Sequence, residues 1–418
     1  MIIPSIDLSQ GKAVQLVQGR HKKLEREDVY GLAREFAKYG DIAVIDLDAA
    51  LERGNNLETV KTLCREHPCR VGGGIRTFER AVDLIAAGAE KVILGTAAVE
   101  EGVNHPFFKS LGSAIGKERI IVALDFRNNR VASRGWRHTT KIPWKEICGE
   151  LEDYASEILF TNIEREGGME GTDLSAIKEL RQSSSLKITA AGGISSLEEI
   201  AAISHMGVNA QLGMAIYSGK ISLQDAFSAS CRWEGLLPTI VCDPASQVMM
   251  LAFSNRESLK KTLETEEVWF FSRSRDKLWK KGETSGNVLE FKKIRADCDG
   301  DALLITARPR GPACHTGSYS CFGGKRFFLE DLWELLRLRF THPQPGSYTS
   351  SLDGESIGRK LREEAAELDD ASSETEIIWE TADLLYFALT KLALNNIPFE
   401  KIIHELRRRR VAGGGRNE

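Results

Sequence analysis

The chain has 418 residues, a length that points to two or three domains at about 150 residues each. Lys and Arg number 56 against 60 Asp and Glu, a net charge of −4 that argues against a general nucleic-acid binder. No uninterrupted apolar run is long enough to span a membrane, and eight cysteines in this length do not make a disulfide scaffold.

The chain begins Met1-Ile2-Ile3-Pro4-Ser5-Ile6-Asp7, a strand at once, so no leader peptide is expected and the cytoplasm is the expected location. A strand at residues 42–47, then an amphipathic helix at 78–87 leading into a strand at 91–94, set up a β/α alternation with parallel strands and crossover helices. Segments then recur. Ile6-Asp7-Leu8 is matched by Leu124-Asp125-Phe126, Gly73-Gly74-Ile75 by Gly192-Gly193-Ile194, and Leu94-Gly95-Thr96-Ala97 by Leu212-Gly213-Met214-Ala215. The offset of roughly 118 residues is too long for a solenoid and fits two half-domains. Four β/α units per half predict an α/β fold, a (β/α)8 TIM barrel, over residues 1–232. An aspartate after a strand is more often a helix cap, but Asp7 and Asp125 sit at matched strand ends and read as a catalytic pair. The turns at Gly73-Gly74, Gly192-Gly193, Gly95 and Gly213 offer backbone N–H groups to two phosphates, so the expected substrate carries one at each end.

Residues 1–230 resemble the ProFAR isomerases of histidine biosynthesis, through Ile3-Pro4-Ser5-Ile6-Asp7-Leu8, Leu16-Val17-Gln18-Gly19, Asp46-Leu47-Asp48-Ala49-Ala50, Gly72-Gly73-Gly74-Ile75-Arg76, Gly135-Trp136 and Ala191-Gly192-Gly193-Ile194-Ser195. The resemblance implies an Amadori rearrangement, aldose to ketose, by acid–base catalysis without a cofactor, with Asp7 as base and Asp125 as acid. It also implies substrate contacts at Gly19, Gly73, Gly74, Arg76, Gly95, Thr96, Trp136, Glu166, Gly192, Gly193 and Gly213. Trp136 is either an aromatic platform or a core residue. Two positions depart from the family: Gln15 stands where Arg is usual, and Glu166 where Asp is usual. They motivate a rival in which an impaired barrel serves as a scaffold or regulatory module.

After a helix at residues 222–233, strands at 239–242, 248–252, 268–272 and 289–295 predict an antiparallel, β-rich α+β domain over 233–327. Five cysteines (Cys64, Cys69, Cys148, Cys231, Cys242) are scattered and read mainly as small buried residues, whereas Cys298, Cys314 and Cys321 share one segment. If Asp297-Cys298-Asp299-Gly300-Asp301 is extended, Asp297, Asp299 and Asp301 share one face and Cys298 takes the other. Three carboxylates suit a hard ion such as Mg2+, and three thiols suit Zn2+ with a fourth position for water. His315 is a fourth ligand or, preferably, a proton acceptor beside Cys314. Together with Phe271-Ser272-Arg273-Ser274-Arg275, Leu278-Trp279 and Lys281-Gly282-Glu283-Thr284-Ser285-Gly286-Asn287, the segment resembles phosphoribosyl-AMP cyclohydrolase. The resemblance implies zinc-activated water opening the purine ring and substrate contacts at Ser272, Arg273, Lys281, Glu283, Thr284 and Ser285. It further implies a homodimer, because that family builds the site between two subunits.

Residues 341–347 interrupt helical patterning, and apolar residues then recur at helical spacing over 356–370, 374–395 and 399–408, predicting an all-α domain at 328–418. Glu363, Glu364 and Glu367 follow one flank of the first of these helices, and Glu380 and Asp383 lie three apart on the next. Such a stripe is usually a solvated face, yet its like charges repel, and Mg2+ held between facing helices would remove the repulsion. Glu-Glu-x-x-Glu followed by Glu-x-x-Asp resembles the all-α nucleotide pyrophosphohydrolases. Ser347-Tyr348-Thr349, Lys360 and Glu405-Leu406-Arg407-Arg408 narrow this to phosphoribosyl-ATP pyrophosphohydrolase, with Lys360 at the substrate. Phe387 departs, since His usually follows Tyr386 there. The three resemblances name consecutive reactions, so the expectation is a trifunctional enzyme acting on phosphorylated small molecules. It would use Mg2+ and Zn2+ but no isomerase cofactor, and have no nucleic-acid or membrane partner.

Overall fold

Eight parallel strands close into a ring in the computed structural model: β1 (Ile2–Ser9), β2 (Ile42–Asp46), β3 (Cys69–Gly72), β4 (Lys91–Leu94), β5 (Ile120–Arg127), β6 (Glu157–Asn162), β7 (Lys187–Ala191) and β8 (Asn209–Leu212). Each pairs with its neighbour, and β8 returns to β1 through Ile2 opposite Ala210. The structure describes residues 1–19 and 21–411; within the basic run, the side chains of Arg407, Arg408 and Arg410 lie outside it. Helices cover the outside of the ring, so strands such as Ile42-Ala43-Val44 are buried on both faces and read as continuous apolar runs. Inside, Ile93, Ile121, Ala123, Leu159 and Ala191 form a small plug. Strand period two then puts Asp125 on the same inward side as Ala123, above that plug.

The first strand of each half is followed by a hairpin that the sequence reading did not separate: Lys12–Val17 with His21–Arg26, and Arg130–Ser133 with His138–Pro143. Backbone angles repeat too. Gly73 and Gly192 both have φ of +93°, and Gly95 (φ −110°, ψ −105°) matches Gly213 (φ −122°, ψ −94°). A Cβ on Gly73 would lie 2.2 Å from the Asp46 carbonyl oxygen. Gly73→Ala is therefore expected to destabilise the protein by at least about 1–3 kcal/mol, seen as a lower Tm with unchanged secondary structure.

The middle segment forms a four-stranded sheet from β9 (Leu237–Cys242), β10 (Val248–Ser254), β13 (Leu289–Ala296) and β14 (Leu303–Pro309), in the order β10-β9-β14-β13. A separate hairpin pairs β11 (Trp269–Ser272) with β12 (Lys277–Lys280). The sheet is not wholly antiparallel as expected: β9 and β14 run parallel, because helix α1 (Arg256–Thr265) and the hairpin carry the chain across before β14 inserts beside β9. This segment packs on the end of the barrel where strands begin. Lys38 pairs with Glu266 at 2.5 Å, Arg295 lies 3.9 Å from Asp41, and the Arg232 N–H donates to the Gly300 carbonyl at 2.7 Å.

Barrel and middle segment share one compact unit, Met1–Gly323, and Gly324–Arg407 forms a second. The second contains α2 (Leu329–Thr341), α3 (Gly354–Asp370) and α4 (Glu374–Leu394), and most of α5 (Phe399–Val411). Capping boxes at Asp353/Ser356 and Ser373/Glu376 start α3 and α4. Phe387 is buried against Leu352 and Ile357, so the ring that replaces the family's usual His has a packing role. Among the described residues, no helix is long and apolar enough to cross a membrane.

Candidate active sites

A cavity of about 190 Å³ opens at the strand-end mouth of the barrel, lined by Asp7, Asp125, Glu166 and Trp136. Asp7 accepts a hydrogen bond from the Ser5 hydroxyl at 2.8 Å, two residues back on the same side of β1. Burial pushes its carboxyl up to about 6 despite that bond. Burial also raises Asp125, opposed by the Trp136 indole N–H, which donates to it at 2.7 Å, and by Thr161. Glu166 is pushed up to about 8, first by burial and then by the two aspartates facing it. Ser5 and Thr161 were missed in the sequence; period two from Asp7 along β1 was the available signal for Ser5, whereas Thr161 faces Asp125 from the neighbouring strand β6, a pairing the sequence does not show.

Trp136 is half-buried at the mouth and is not a core residue. Arg134, Gly135 and Trp136 all have positive φ, and Gly19 lets the ring approach, since a Cβ there would sit 2.6 Å from Trp136 Cε3. Gly73, Gly74, Gly95 and Thr96 line one side of the cavity; Gly192, Gly193 and Gly213 line an adjoining pocket with Asp7, Gln15 and Glu166. Arg76 ties down the short helix Leu47–Ala50 after β2 through the Ala49 and Ala50 carbonyls at 3.0 and 2.9 Å, and the Thr96 hydroxyl accepts the Arg134 N–H. Gln15 is 1% exposed, and its Nε2 has no hydrogen-bond partner among the described residues although it lies against Gly213. A buried amide donor left unpaired in a pocket of backbone donors suits an anionic or hydroxylated ligand.

In the middle segment, residues 297–301 are not extended. Asp297 Oδ1 accepts the backbone N–H groups of Gly300, Asp301 and Ala302 at 3.0–3.1 Å, bending the run into a turn with Gly300 at φ +82°. The turn still gathers Asp297, Asp299 and Asp301, whose carboxylate oxygens lie within 4.8 Å of one another, a donor set that fits a hard divalent ion. Asp301 is raised, chiefly by Asp299. The Cys314 and Cys321 thiols reach hydrogen-bonding contact; Thr316 lowers Cys314, while burial and Cys314 raise Cys321. Cys298 is exposed, and among the described residues the three thiols do not all come within 4.8 Å of one another. Two adjacent soft donors fit one side of a zinc site, with the third thiol elsewhere. His315 is exposed, its Nδ1 3.9 Å from Cys314 Sγ. Lys281 lies close enough to Cys321 to lower it, and Glu283, Thr284 and Ser285 follow in the same exposed loop. Ser272 braces Arg275, and Arg273 stacks 3.8 Å over Phe253.

In the helical unit, Glu364, Glu367 and Glu380 bring carboxylate oxygens within 4.8 Å of one another across α3 and α4, again fitting a hard ion. Asp383 belongs to the same crowd, since it raises both Glu364 and Glu380. Glu363 departs from the expected set. It is exposed and held by Lys360 at 2.7 Å, because one residue of helix turns it about 100° from Glu364. Lys360 also reaches Glu364 at 3.4 Å.

A closed barrel with duplicated glycine turns and three interacting carboxyls at its mouth defines a (β/α)8-barrel enzyme, joined to two further segments with clustered metal-type donors. Residues 1–222 match the family described as histidine biosynthesis protein, 250–323 match phosphoribosyl-AMP cyclohydrolase, and 329–410 match phosphoribosyl-ATP pyrophosphohydrolase. An imidazole-4-carboxamide isomerase of Methanocaldococcus jannaschii is 38% identical over 233 residues, covering 54% of this chain and 97% of that protein. Histidine biosynthesis bifunctional proteins HisIE of Pyrococcus furiosus (44% over 198 residues) and Bacillus subtilis (45% over 192) cover 43% and 42% of this chain, and 95% and 92% of their own lengths. The chain belongs to the histidine biosynthesis protein family, with cyclohydrolase and pyrophosphohydrolase regions following the barrel, and is a multifunctional enzyme of that pathway.

Proposed function

We propose that the chain performs three consecutive steps: hydrolysis of phosphoribosyl-ATP to phosphoribosyl-AMP and pyrophosphate by residues 328–418, opening of the purine ring to ProFAR by 233–327, and isomerisation of ProFAR by 1–232. The observation that carries the isomerase assignment is the convergence of Asp7, Asp125 and Glu166 on one cavity between matched glycine turns. Asp7 takes the substrate proton as base, and Asp125, oriented by Trp136, gives one as acid. The glycine turns hold the two phosphates, and Glu166 and Trp136 position the chain between them.

In the middle segment Cys298, Cys314 and Cys321 would hold Zn2+, and Asp297, Asp299 and Asp301 would hold Mg2+. Zinc supplies the Lewis acidity that makes water nucleophilic near neutral pH. His315 is placed to accept a proton, and Ser272, Arg273, Lys281, Glu283, Thr284 and Ser285 bind the nucleotide. In the helical unit Glu364, Glu367, Glu380 and Asp383 would hold Mg2+ against the substrate phosphates, with Lys360 beside them. Eight free thiols suit a reducing cytoplasm.

The separation of Cys298 from the other two thiols supports a homodimer through this segment, each zinc site completed by a second copy. Mixing Cys298→Ser and Cys314→Ser chains should then restore one intact site per hybrid dimer, up to about a quarter of wild-type cyclohydrolase activity. No restoration would sink the shared site. For the whole chain, phosphoribosyl-ATP with Mg2+ and Zn2+ should yield the ribulosyl product by mass spectrometry. An end product of ProFAR would instead leave the barrel a scaffold, a reading that Gln15 motivates.

A further inference from the structure

One buried carboxylate in the middle segment has no part in the chemistry above. Asp243 is 2% exposed and sits in the turn between β9 and β10. One of its oxygens closes that turn by accepting the Gln247 N–H at 2.8 Å. The other accepts the Tyr319 hydroxyl at 2.6 Å, a distance typical of a charge-assisted bond.

Tyr319 lies between Cys314 and Cys321, and the two cysteines are anchored differently. Cys321 is fixed directly to β10, its N–H donating to the Met249 carbonyl at 2.8 Å while the Ser320 hydroxyl donates to Val248 at 2.8 Å. Cys314 is held within its own loop, by its N–H to Ser318 at 3.1 Å and by the neighbouring Ala313 N–H to the Tyr319 carbonyl at 3.1 Å. Tyr319 is thus the pivot: its main chain holds the Cys314 end of the loop, and its phenol is tied to a carboxylate in a different turn.

We infer that Asp243 and Tyr319 form a positioning pair that holds Cys314 at ligand distance from Cys321 before the metal arrives. Thiols already in place avoid an ordering cost on binding, so the pair should appear in the metal affinity. The inference rests on Cys314 and Cys321 being zinc ligands.

The test uses the full chain with Tyr319→Phe, Asp243→Asn and the double variant. In Asp243→Asn an amide NH2 replaces the oxygen that accepts the phenol, so the charge-assisted bond is lost while the Gln247 N–H keeps its acceptor. Zinc affinity is read by chelator competition, thiolate coordination by the absorption of the cobalt-substituted protein, and folding of the shared unit by isomerase turnover. Each single variant should weaken zinc binding by roughly 10- to 100-fold, with the double no worse than the weaker-binding single and isomerase turnover unchanged. Unchanged zinc affinity in Tyr319→Phe, or fully additive losses, would overturn the pairing while leaving the zinc site intact. A wild-type chain that binds neither zinc nor cobalt would overturn the site itself and the pair with it. Should Asp243→Asn fail to fold, Tyr319→Phe decides alone, because it deletes only one hydroxyl.

Discussion

Replacing Asp7 by Asn should lower isomerase kcat by roughly 10²- to 10⁴-fold, the usual range for losing a positioned general base, with little change in KM. Asn preserves the shape and can still accept from the Ser5 hydroxyl, so the loss reads chemistry and not packing. With the carboxyl pushed up to about 6, Asp7 is protonated and inactive as a base below that pH, so wild-type turnover should climb as pH rises through it. In Asp7→Asn that acid limb should disappear from the residual rate. An unchanged limb would assign it to another group. Glu166, pushed up to about 8, still carries its proton at neutrality, which limits the repulsion Asp7 meets when it ionises. The cyclohydrolase and pyrophosphohydrolase rates of the same preparation should be unaffected.

Glu364→Gln should abolish phosphoribosyl-ATP cleavage, by at least roughly 100-fold, and leave that substrate to accumulate while supplied phosphoribosyl-AMP is still processed. Glu364 is the one buried member of the Glu364, Glu367 and Glu380 cluster. Burial raises its carboxyl, and Glu367 and Asp383 add to the rise against the pull of Lys360. The folded protein therefore binds this proton more tightly than the unfolded chain does. Without metal, ionisation of Glu364 costs stability as pH rises from its ordinary 4.5 through the raised folded value, and acidification across that window restores it. Mg2+ should remove the penalty at neutral pH, so the wild-type helical unit gains Tm on adding Mg2+. Glu364→Gln should start from a higher metal-free Tm and gain less. A Tm insensitive to Mg2+ in both proteins, with cleavage intact in the variant, would rule the cluster out as a metal site.

The barrel was legible because its signals are local and doubled. Asp7 and Asp125, and the glycines at 73 and 192, recur at one offset, and strand-end position follows from the β/α alternation. Helix spacing likewise marked the acidic tail. Which glutamates turn inward was harder: Glu363 and Glu364 are neighbours in sequence, and only the packing of α3 against α4 buries one and leaves the other to Lys360.

What the sequence alone determined was chemistry-bearing residue types at meaningful spacing: paired aspartates, glycine turns, three grouped cysteines and acidic helical stripes. The tertiary structure decided which of them meet. It buried Glu166 facing two aspartates from β1 and β5, and the burial first and the aspartates second raise its proton affinity. It folded Asp297–Asp301 into a turn because one carboxylate could satisfy three backbone N–H groups. It also paired Cys314 with Cys321 but not with Cys298. Each of these depends on contacts between segments distant in sequence, or on competition for backbone hydrogen bonds, and a one-dimensional pattern encodes neither.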